Sequence, residues 1–290
     1  MTHEREGRYH MQVCQSINTL QDALAGLPRP LGLVPTMGAL HAGHMALVTA
    51  SIAANRSTAV SVFVNSSQFG PHEDISRYPR PFEADLALLE PAGVDVVFAP
   101  EATELYPPGF ATWVNVEGPP AERLEAERRP GHFRGVATIV AKLLLLVRPD
   151  AAYFGQKDAQ QLAVVRRVVA DLNIPTNISA VPTVRETDGL ALSSRNVYLS
   201  GPERRAATVL SRALANAQAQ YAAGTRDAAA LLRRLQEEFA REPLAALDYV
   251  DLADPATFQP VFQPADDTLV VIACRIGATR LIDNAALGGD

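Results

Sequence analysis

Short apolar segments rich in β-branched residues alternate with segments of helical spacing through the first two thirds of the chain. Strands are predicted at 31–36, 58–64, 94–100, 151–155 and 177–184. Helices are predicted at 44–54, 81–90, 136–147 and 158–172. Because parallel strands need long crossover connections, this alternation predicts βαβ units and a Rossmann-like, doubly wound parallel sheet of the α/β class.

The last third of the chain has a different character. An Ala- and Arg-rich segment at 202–223 and a second segment at 226–240 are predicted to be helical, and three strand-like segments follow at 247–253, 269–277 and 279–285. Two helices and a short antiparallel sheet make a smaller α+β domain. We therefore divide the chain into domains 1–188 and 189–290.

Charge and apolar content exclude several classes of protein. The net charge of −6 argues against nucleic acid as a partner, because proteins that bind phosphate backbones usually have a basic face. The N-terminus is too polar for a secretory signal, and the longest apolar run, 143–147, is far too short to cross a membrane. The two cysteines lie far apart and are expected to be reduced thiols. A cytoplasmic protein without a membrane partner is predicted.

The segment PTMGALHAGH, residues 35–44, follows the first predicted strand and begins the first helix. In open parallel sheets, ligands bind at the carboxyl ends of the strands, and a helix N-terminus attracts anions. His41 and His44 are therefore interpreted as a phosphate-binding pair. A metal pair needs a third ligand and usually has four-residue spacing on a helix, and a purely structural pair of histidines is the other alternative.

The segment FGQKDAQQL, residues 154–162, has the same position after a later strand. Lys157 can neutralise phosphate charge, Gln161 can reach the same cleft, and Asp158 can cap the helix or bind a ribose hydroxyl or magnesium. The alternative is an ordinary solvated helix start. In LSSRN, residues 192–196, the two hydroxyls and the guanidinium of Arg195 suit a phosphate, although such a loop is as often a plain linker.

Neutral amides follow the second strand in FVNSSQFG, residues 63–70. Asn65 and Gln68 can bind the carboxylate and hydroxyls of a small substrate, or they can belong to a turn. Asp85 is either a distant magnesium ligand or a charge at a helix start. The segment RRPGHFRGV, residues 128–136, is interpreted as a ligand-facing loop or a basic solvated turn.

Together with PTVRETDGLALSSRN and the C-terminal TRLIDN, these segments resemble, in order and spacing, the pantoate–β-alanine ligase family from about Val13 to Asn284. HAGH at 41–44 is similar to the HxGH signature of adenylyl-transferring enzymes related to class I aminoacyl-tRNA synthetases. The resemblance implies that pantoate attacks the α-phosphorus of MgATP, and that β-alanine then attacks the pantoyl adenylate to give pantothenate and AMP. It also implies a homodimer and a C-terminal domain that acts as a lid.

The resemblance assigns roles to matching positions of this chain. It implies that His44 is the proton donor, assisted by His41, Lys157 and Arg195 on the phosphates. Gln68, Gln161 and Asn65 are expected to bind pantoate or β-alanine, and Asp85 to contact magnesium. The implied ATP site consists of Met37, Gly38, Ala39, Leu40, His41, Ala42, Gly43, His44, Gly155, Gln156, Lys157, Asp158, Val184, Leu192, Ser193, Ser194 and Arg195.

Some positions depart from the family pattern. Ser66, Gln156, Ala159 and Leu192 replace the residues that are common in the family, and Ala84 replaces an acidic residue of some relatives. Two other functions remain open at this point. One is a nucleotidyltransferase that makes a dinucleotide, and the other is a nucleotide-binding module without catalysis.

Overall fold

A six-stranded parallel sheet forms the larger part of the computed structural model, which describes residues 10–71 and 73–289. The strand order is β1-β4-β3-β2-β5-β6, and every neighbouring pair is parallel. The strands are β1 (Gln12–Cys14), β2 (Leu31–Thr36), β3 (Ser57–Val62), β4 (Val96–Phe98), β5 (Ala151–Gly155) and β6 (Asn177–Val181). This sheet confirms the predicted fold class and adds the short edge strand β1 to the five predicted strands.

Helices cover both faces of this sheet. They are α1 (Ile17–Ala25), α2 (Ala42–Ala54), α3 (Phe82–Ala92), the short helices α4 (Ala102–Leu105), α5 (Pro119–Glu122) and α6 (Glu125–Arg128), then α7 (His132–Val147) and α8 (Ala159–Asp171). Side chains of α1, α7 and α8 share one apolar cluster with Leu33 of β2, while α2 and α3 pack with Val34 on the other face. Neighbouring strand residues point to opposite faces, so the sheet is buried on both sides.

The strand order places a switch point between β2 and β5. The chain moves from β2 to β3 in one direction and from β5 to β6 in the other, so the crossovers leave a crevice at the carboxyl ends of β2 and β5. The segments that follow these two strands contain His41, His44 and Lys157. The topology therefore brings the first two predicted clusters to one edge of the sheet.

The C-terminal part contains three helices and a small antiparallel sheet of order β7-β8-β9. Its elements are α9 (Gly201–Ala206), α10 (Val209–Ala222), α11 (Ala228–Ala240), β7 (Ala245–Ala253), β8 (Leu269–Ile276) and β9 (Thr279–Ala286). The single helix predicted at 202–223 is instead two helices. At their junction the Thr208 hydroxyl donates to the Arg205 carbonyl at 2.7 Å, a local bond that competes with continuous helix.

The C-terminal part has its own apolar core, which extends from Leu190 to Leu287. A smaller cluster that includes Leu124, Ala163, Phe258 and Val271 joins it to the parallel sheet and its helices. The division between residues 188 and 189 stays a prediction. Within the described ranges, no helix is long and apolar enough to span a membrane.

Candidate active site

A cavity of about 250 Å³ opens at the carboxyl ends of β2 and β5 and is closed on its far side by the C-terminal part. It is lined by most of the side chains that the sequence singled out. These are Met37, His41, Gly43, His44, Asn65, Gln68, Gly155, Lys157, Asp158, Gln161, Val184, Leu192, Ser193, Ser194 and Arg195. The other predicted residues, Gly38, Ala39, Leu40, Ala42, Gln156 and Asp85, are not among the lining residues.

His41 and His44 stand at the first turn of α2 with their ring centroids 4.1 Å apart. His41 caps the helix, and its Nδ1 accepts the backbone N–H of Gly43 at 3.1 Å. The Nδ1 of His44 lies 3.4 Å from the backbone nitrogen of His41, whose N–H donates to it. Because each Nδ1 accepts, each neutral ring carries its proton on Nε2. Both side chains are thus prepared to donate an Nε2–H to an anion.

Both imidazoles are neutral near pH 7. Burial, assisted by the charge of His41, lowers the pKa of His44 to about 3. The pKa of His41 is lowered mainly by burial and then by the charge of Lys157. The neutral ring of His44 can donate its Nε2–H as a hydrogen bond, and the role of proton donor stays a prediction.

Gly43 allows this arrangement of the rings. A Cβ at this position would lie 2.9 Å from Cε1 and 3.0 Å from Nδ1 of His41, which is closer than a carbon can approach without displacing the ring. The glycine between the two histidines is therefore needed for the capping contact.

Asp85 has a structural role in the loop before α2. Its carboxylate accepts the backbone N–H groups of Ala39 at 2.9 Å and Leu40 at 2.7 Å. The side chain comes from the first turn of α3 and is 2% exposed. The loop that it holds has positive φ angles at Gly38 (78°) and Ala39 (52°). Asp85 therefore fixes the loop that leads into the histidine pair, and its contact with magnesium stays a prediction.

The amide of Asn65 is fully used inside the protein. Its Nδ2 donates to the Gln68 Oε1 at 2.9 Å and to the Gly135 carbonyl at 3.2 Å. Its Oδ1 accepts the hydroxyls of Ser67 and Tyr106 at 2.8 and 2.9 Å. Asn65 is 1% exposed, and its side-chain amide has no donor or acceptor left for a substrate. Its contact fixes which end of the Gln68 amide faces the cavity.

Lys157 and Asp158 occupy the turn between β5 and α8. The ammonium lies 3.6 Å from the Asp158 carboxylate, and both side chains line the cavity. Asn284 of β9 holds this turn, because its Nδ2 donates to the carbonyls of Gln156 at 3.0 Å and Lys157 at 2.8 Å. The neighbouring Asp283 is buried and paired with Arg185 at 2.6 Å. The TRLIDN segment of the last strand is therefore part of the site.

Ser193, Ser194 and Arg195 lie at the start of a 3-10 turn, Ser194–Tyr198. The Ser193 hydroxyl caps this turn by accepting the Arg195 N–H at 3.3 Å. The guanidinium of Arg195 forms two hydrogen bonds of 2.9 Å with the carboxylate of Asp74. The predicted phosphate loop thus contacts a segment of the parallel-sheet part that the sequence did not assign to the site.

Gln161 and Gln160 have opposite roles. Gln161 lines the cavity, and its side chain has no hydrogen-bond partner in the described part of the chain. Gln160 is buried and donates to the carbonyls of Pro120 and Arg123 at 3.0 and 2.8 Å. Only the first of these amides is available to a ligand.

The segment RRPGHFRGV forms another wall of the cavity. The sequence indicated a ligand-facing loop, but its residues 132–136 are the beginning of α7. Arg129 binds Glu73 at 2.7 Å and lies 3.0 Å from the Nε2 of His132. Since an arginine only donates, this nitrogen accepts, and the Nδ1–H of His132 donates to the Gln68 carbonyl at 2.8 Å. Burial, together with the charge of Arg129, lowers the pKa of His132 to about 4. Arg129 and His132 line the cavity but were not assigned as site residues.

Glu125 connects this wall to the C-terminal part. Its carboxylate accepts two bonds from Arg280 at 2.6 and 2.9 Å and the Tyr249 hydroxyl at 2.8 Å. Arg280 also binds Asp248 at 2.8 Å. No local signal in the sequence indicates these pairs, because their partners come from distant segments.

A doubly wound α/β domain with neutral imidazoles, a lysine, an arginine and hydroxyls around its switch point defines the class: an enzyme whose site suits the phosphates of a nucleotide. The model of the pantoate–β-alanine ligase family matches residues 12–286. The chain belongs to this family, which confirms the resemblance.

Known relatives agree over nearly the whole length. The chain is 53% identical to the pantothenate synthetase of Roseiflexus sp. (strain RS-1) over 277 residues, which cover 96% of this chain and 99% of the relative. The crystal structure of pantothenate synthetase from Thermus thermophilus has a TM-score of 0.92 at 49% identity and covers 96% of this chain and 99% of its own. The ligase from Francisella tularensis, complexed with beta-gamma ATP and beta-alanine, has a TM-score of 0.79 at 31% identity, with 97% and 99% covered.

Proposed function

We propose that this cavity activates pantoate as an acyl adenylate and then transfers the pantoyl group to β-alanine. The overall reaction is that of the family, an ATP-dependent condensation to pantothenate that releases AMP and pyrophosphate. The assignment of roles to residues is based on one observation: two kinds of polar group line the same cavity. Phosphate-binding donors follow β2 and β5, and neutral amides stand beside them.

In the first step, a carboxylate oxygen of pantoate attacks the α-phosphorus of ATP, and the bond from that phosphorus to the bridging oxygen of pyrophosphate breaks. The Nε2–H groups of His41 and His44, with Lys157 and Arg195, stabilise the charge that moves onto the phosphate oxygens. A neutral imidazole keeps its proton when it only donates a hydrogen bond, so neither histidine has to be protonated again before the next catalytic cycle.

Neutral amides hold pantoate while its carboxylate reacts. Gln161 has no hydrogen-bond partner within the described residues, and Asn65 orients Gln68, so both glutamine amides can hydrogen-bond to the hydroxyls and the carboxylate. A cation in direct contact with the carboxylate would stabilise the ground state and weaken the nucleophile. The adjoining wall of α7 is apolar and suits the dimethyl carbon of pantoate. Its cavity-lining residues are Phe133, Val136, Ile139, Val140 and Leu143.

In the second step, the amine nitrogen of β-alanine attacks the acyl carbon of the adenylate. The acyl–oxygen bond breaks, AMP leaves with the electron pair, and the proton of the attacking nitrogen passes to solvent. No protein nucleophile is required, because the adenylate is already an activated acyl donor. The two cysteines, Cys14 and Cys274, are buried and do not line the cavity.

Magnesium fits this site as an ion that enters with ATP. The described residues contain no group of three or more potential metal-ligating side chains. Magnesium is commonly held by one or two carboxylates together with substrate phosphates. Asp158, whose side chain lines the cavity and is 46% exposed, would supply the protein carboxylate. When bound, the ion would neutralise part of the phosphate charge.

Assembly as a homodimer and location in the cytoplasm are further proposals. Support for a dimer comes from residues 111–117, a segment without helix or strand in which Trp113 is 37% exposed. Such a segment offers backbone and apolar surface to a second copy of the chain. Light scattering of wild-type protein tests the assembly state.

The test of the proposed reaction is ATP–pyrophosphate exchange with a panel of carboxylic acids. Exchange is expected with pantoate, and addition of β-alanine should give AMP and pantothenate in equal amounts. With ATP and pantoate alone, the acyl adenylate should accumulate. Formation of ADP and phosphate, or exchange only with a nucleotide substrate, would refute this assignment.

A further inference from the structure

The residue that holds the guanidinium of Arg195 lies outside the cavity lining. Asp74 belongs to a short turn, residues 73–76. Its side chain does not line the cavity. Its two oxygens bind Nε and Nη2 of Arg195, each at 2.9 Å. This two-point contact fixes the plane of the guanidinium as well as its position.

The contact leaves part of the guanidinium free. Of its five N–H donors, the two that point to Asp74 are used, and the others have no partner within residues 10–71 and 73–289. Arg195 itself lines the cavity. The free edge is thus available to a ligand while the opposite edge is held.

The pair is partly shielded from solvent and is supported on both sides. The side chains of Arg195 and Asp74 are 27% and 22% exposed. The hydroxyls of Tyr78 and Ser194 lie 3.2 Å apart, and the Tyr198 hydroxyl donates to a backbone carbonyl of the same segment at 2.9 Å. The turn that contains Arg195 is therefore attached to residues 74–78 at three points.

The charge of Asp74 is also maintained. Burial raises the pKa of its carboxyl, but the hydrogen bonds and the charge of Arg195 outweigh burial and hold the pKa below its usual range. The carboxylate is thus ionised near pH 7, and it remains a strong partner for the guanidinium.

We propose that Asp74 is a positioning residue for Arg195: it holds one edge of the guanidinium so that the free N–H donors face the ATP phosphates. This inference rests on the proposed function, because it takes ATP as the ligand of Arg195. Without the carboxylate, the long side chain samples many rotamers and must be ordered each time ATP binds.

The test is a double-mutant cycle of Asp74→Asn and Arg195→Ala, with the ATP dissociation constant measured by calorimetry. In the wild-type background, Asp74→Asn should weaken ATP binding about tenfold or more, the size expected for a hydrogen bond to a charged group. In the Arg195→Ala background, the same change should have no effect or improve binding, because it removes an unpaired negative charge. Asp171→Asn is the matched control, since Asp171 forms a two-point contact with Arg167 on the surface of α8. It should leave ATP binding unchanged.

A dissociation constant that Asp74→Asn leaves unchanged would overturn the inference. An equal loss in both backgrounds would also overturn it, because a general structural role acts independently of Arg195. Binding of ATP does not depend on which acid is activated. Failure of pantoate-dependent exchange by the wild type would therefore refute the proposed reaction separately.

Discussion

Gly135 sets the distance between α7 and the turn that contains Gln68. A Cβ at residue 135 would lie 2.4 Å from the Ser67 carbonyl oxygen and 2.6 Å from the Gln68 backbone nitrogen. Both atoms belong to the backbone, so no side-chain rotation relieves the contact. The Gly135 carbonyl also accepts the Asn65 amide at 3.2 Å. Gly135→Ala should therefore move the part of the site that orients Gln68.

The expected size follows from two opposing effects. Replacing a helical glycine by alanine stabilises a helix by about 1 kcal/mol. Forcing an extra methyl group into packed structure costs about 1–3 kcal/mol. The net loss of about 1 kcal/mol should lower the melting temperature by about 2–4 °C. A shift of the Gln68 turn by about 1 Å should reduce kcat/KM for pantoate by roughly 10–100-fold.

The assay combines thermal melting, calorimetry with ATP and steady-state kinetics with varied pantoate. ATP binding should stay near the wild-type value, because the atoms nearest to the added methyl group belong to Ser67 and Gln68 and not to the histidine or lysine turns. Gly201→Ala is the matched control: a Cβ there would be 3.8 Å from the Arg205 side chain, an ordinary contact. If Gly135→Ala kept the wild-type kcat/KM for pantoate, the argument that this close approach orients Gln68 would be wrong.

Five other substitutions have defined outcomes. His44→Ala and Lys157→Ala should each reduce the rate of pantoate-dependent exchange about 100–1000-fold with little change in melting temperature, because each removes a donor to transition-state charge. If these variants were inactive because they were unfolded, the catalytic role of the two side chains would lose its support. Gln161→Ala should raise the pantoate KM about tenfold and leave ATP binding unchanged, and an equal loss of ATP affinity would contradict the assignment. Asp85→Ala should lower the melting temperature without changing the magnesium concentration for half-maximal activity, whereas a shift in that concentration would support the metal role. The pKa of His132 is lowered to about 4. As the pH falls below about 6.5, the folded state therefore binds fewer protons than the unfolded state, and the free energy of unfolding decreases. Between about pH 7 and pH 5, the free energy of unfolding of His132→Asn, measured by urea titration, should decrease by about 2 kcal/mol less than that of the wild type.

Much of the architecture is predictable from local sequence. Apolar periodicity distinguishes strands buried on both faces from helices with one buried face, and regular alternation of the two requires a parallel sheet. The place of the ligand follows from the same pattern, because polar clusters after β2 and β5 must meet at the switch point. His41, His44, Lys157 and Gln161 are found in this way. The boundaries of β4 and α7 and the division of the helix predicted at 202–223 cannot be found from the pattern, since they depend on contacts with neighbouring segments.

The tertiary structure alone determines how those side chains are held. Asp74 and Arg195 are 121 positions apart, and Asn284 is 127 positions from the carbonyl of Lys157 that it binds. It also determines that Asp85 binds backbone N–H groups, and that burial keeps His44 neutral. The physical reason is that periodicity depends on whether a residue is buried or exposed, whereas a hydrogen bond or a pKa depends on the particular atoms within a few ångströms. Those atoms come from segments that only the folded chain brings together.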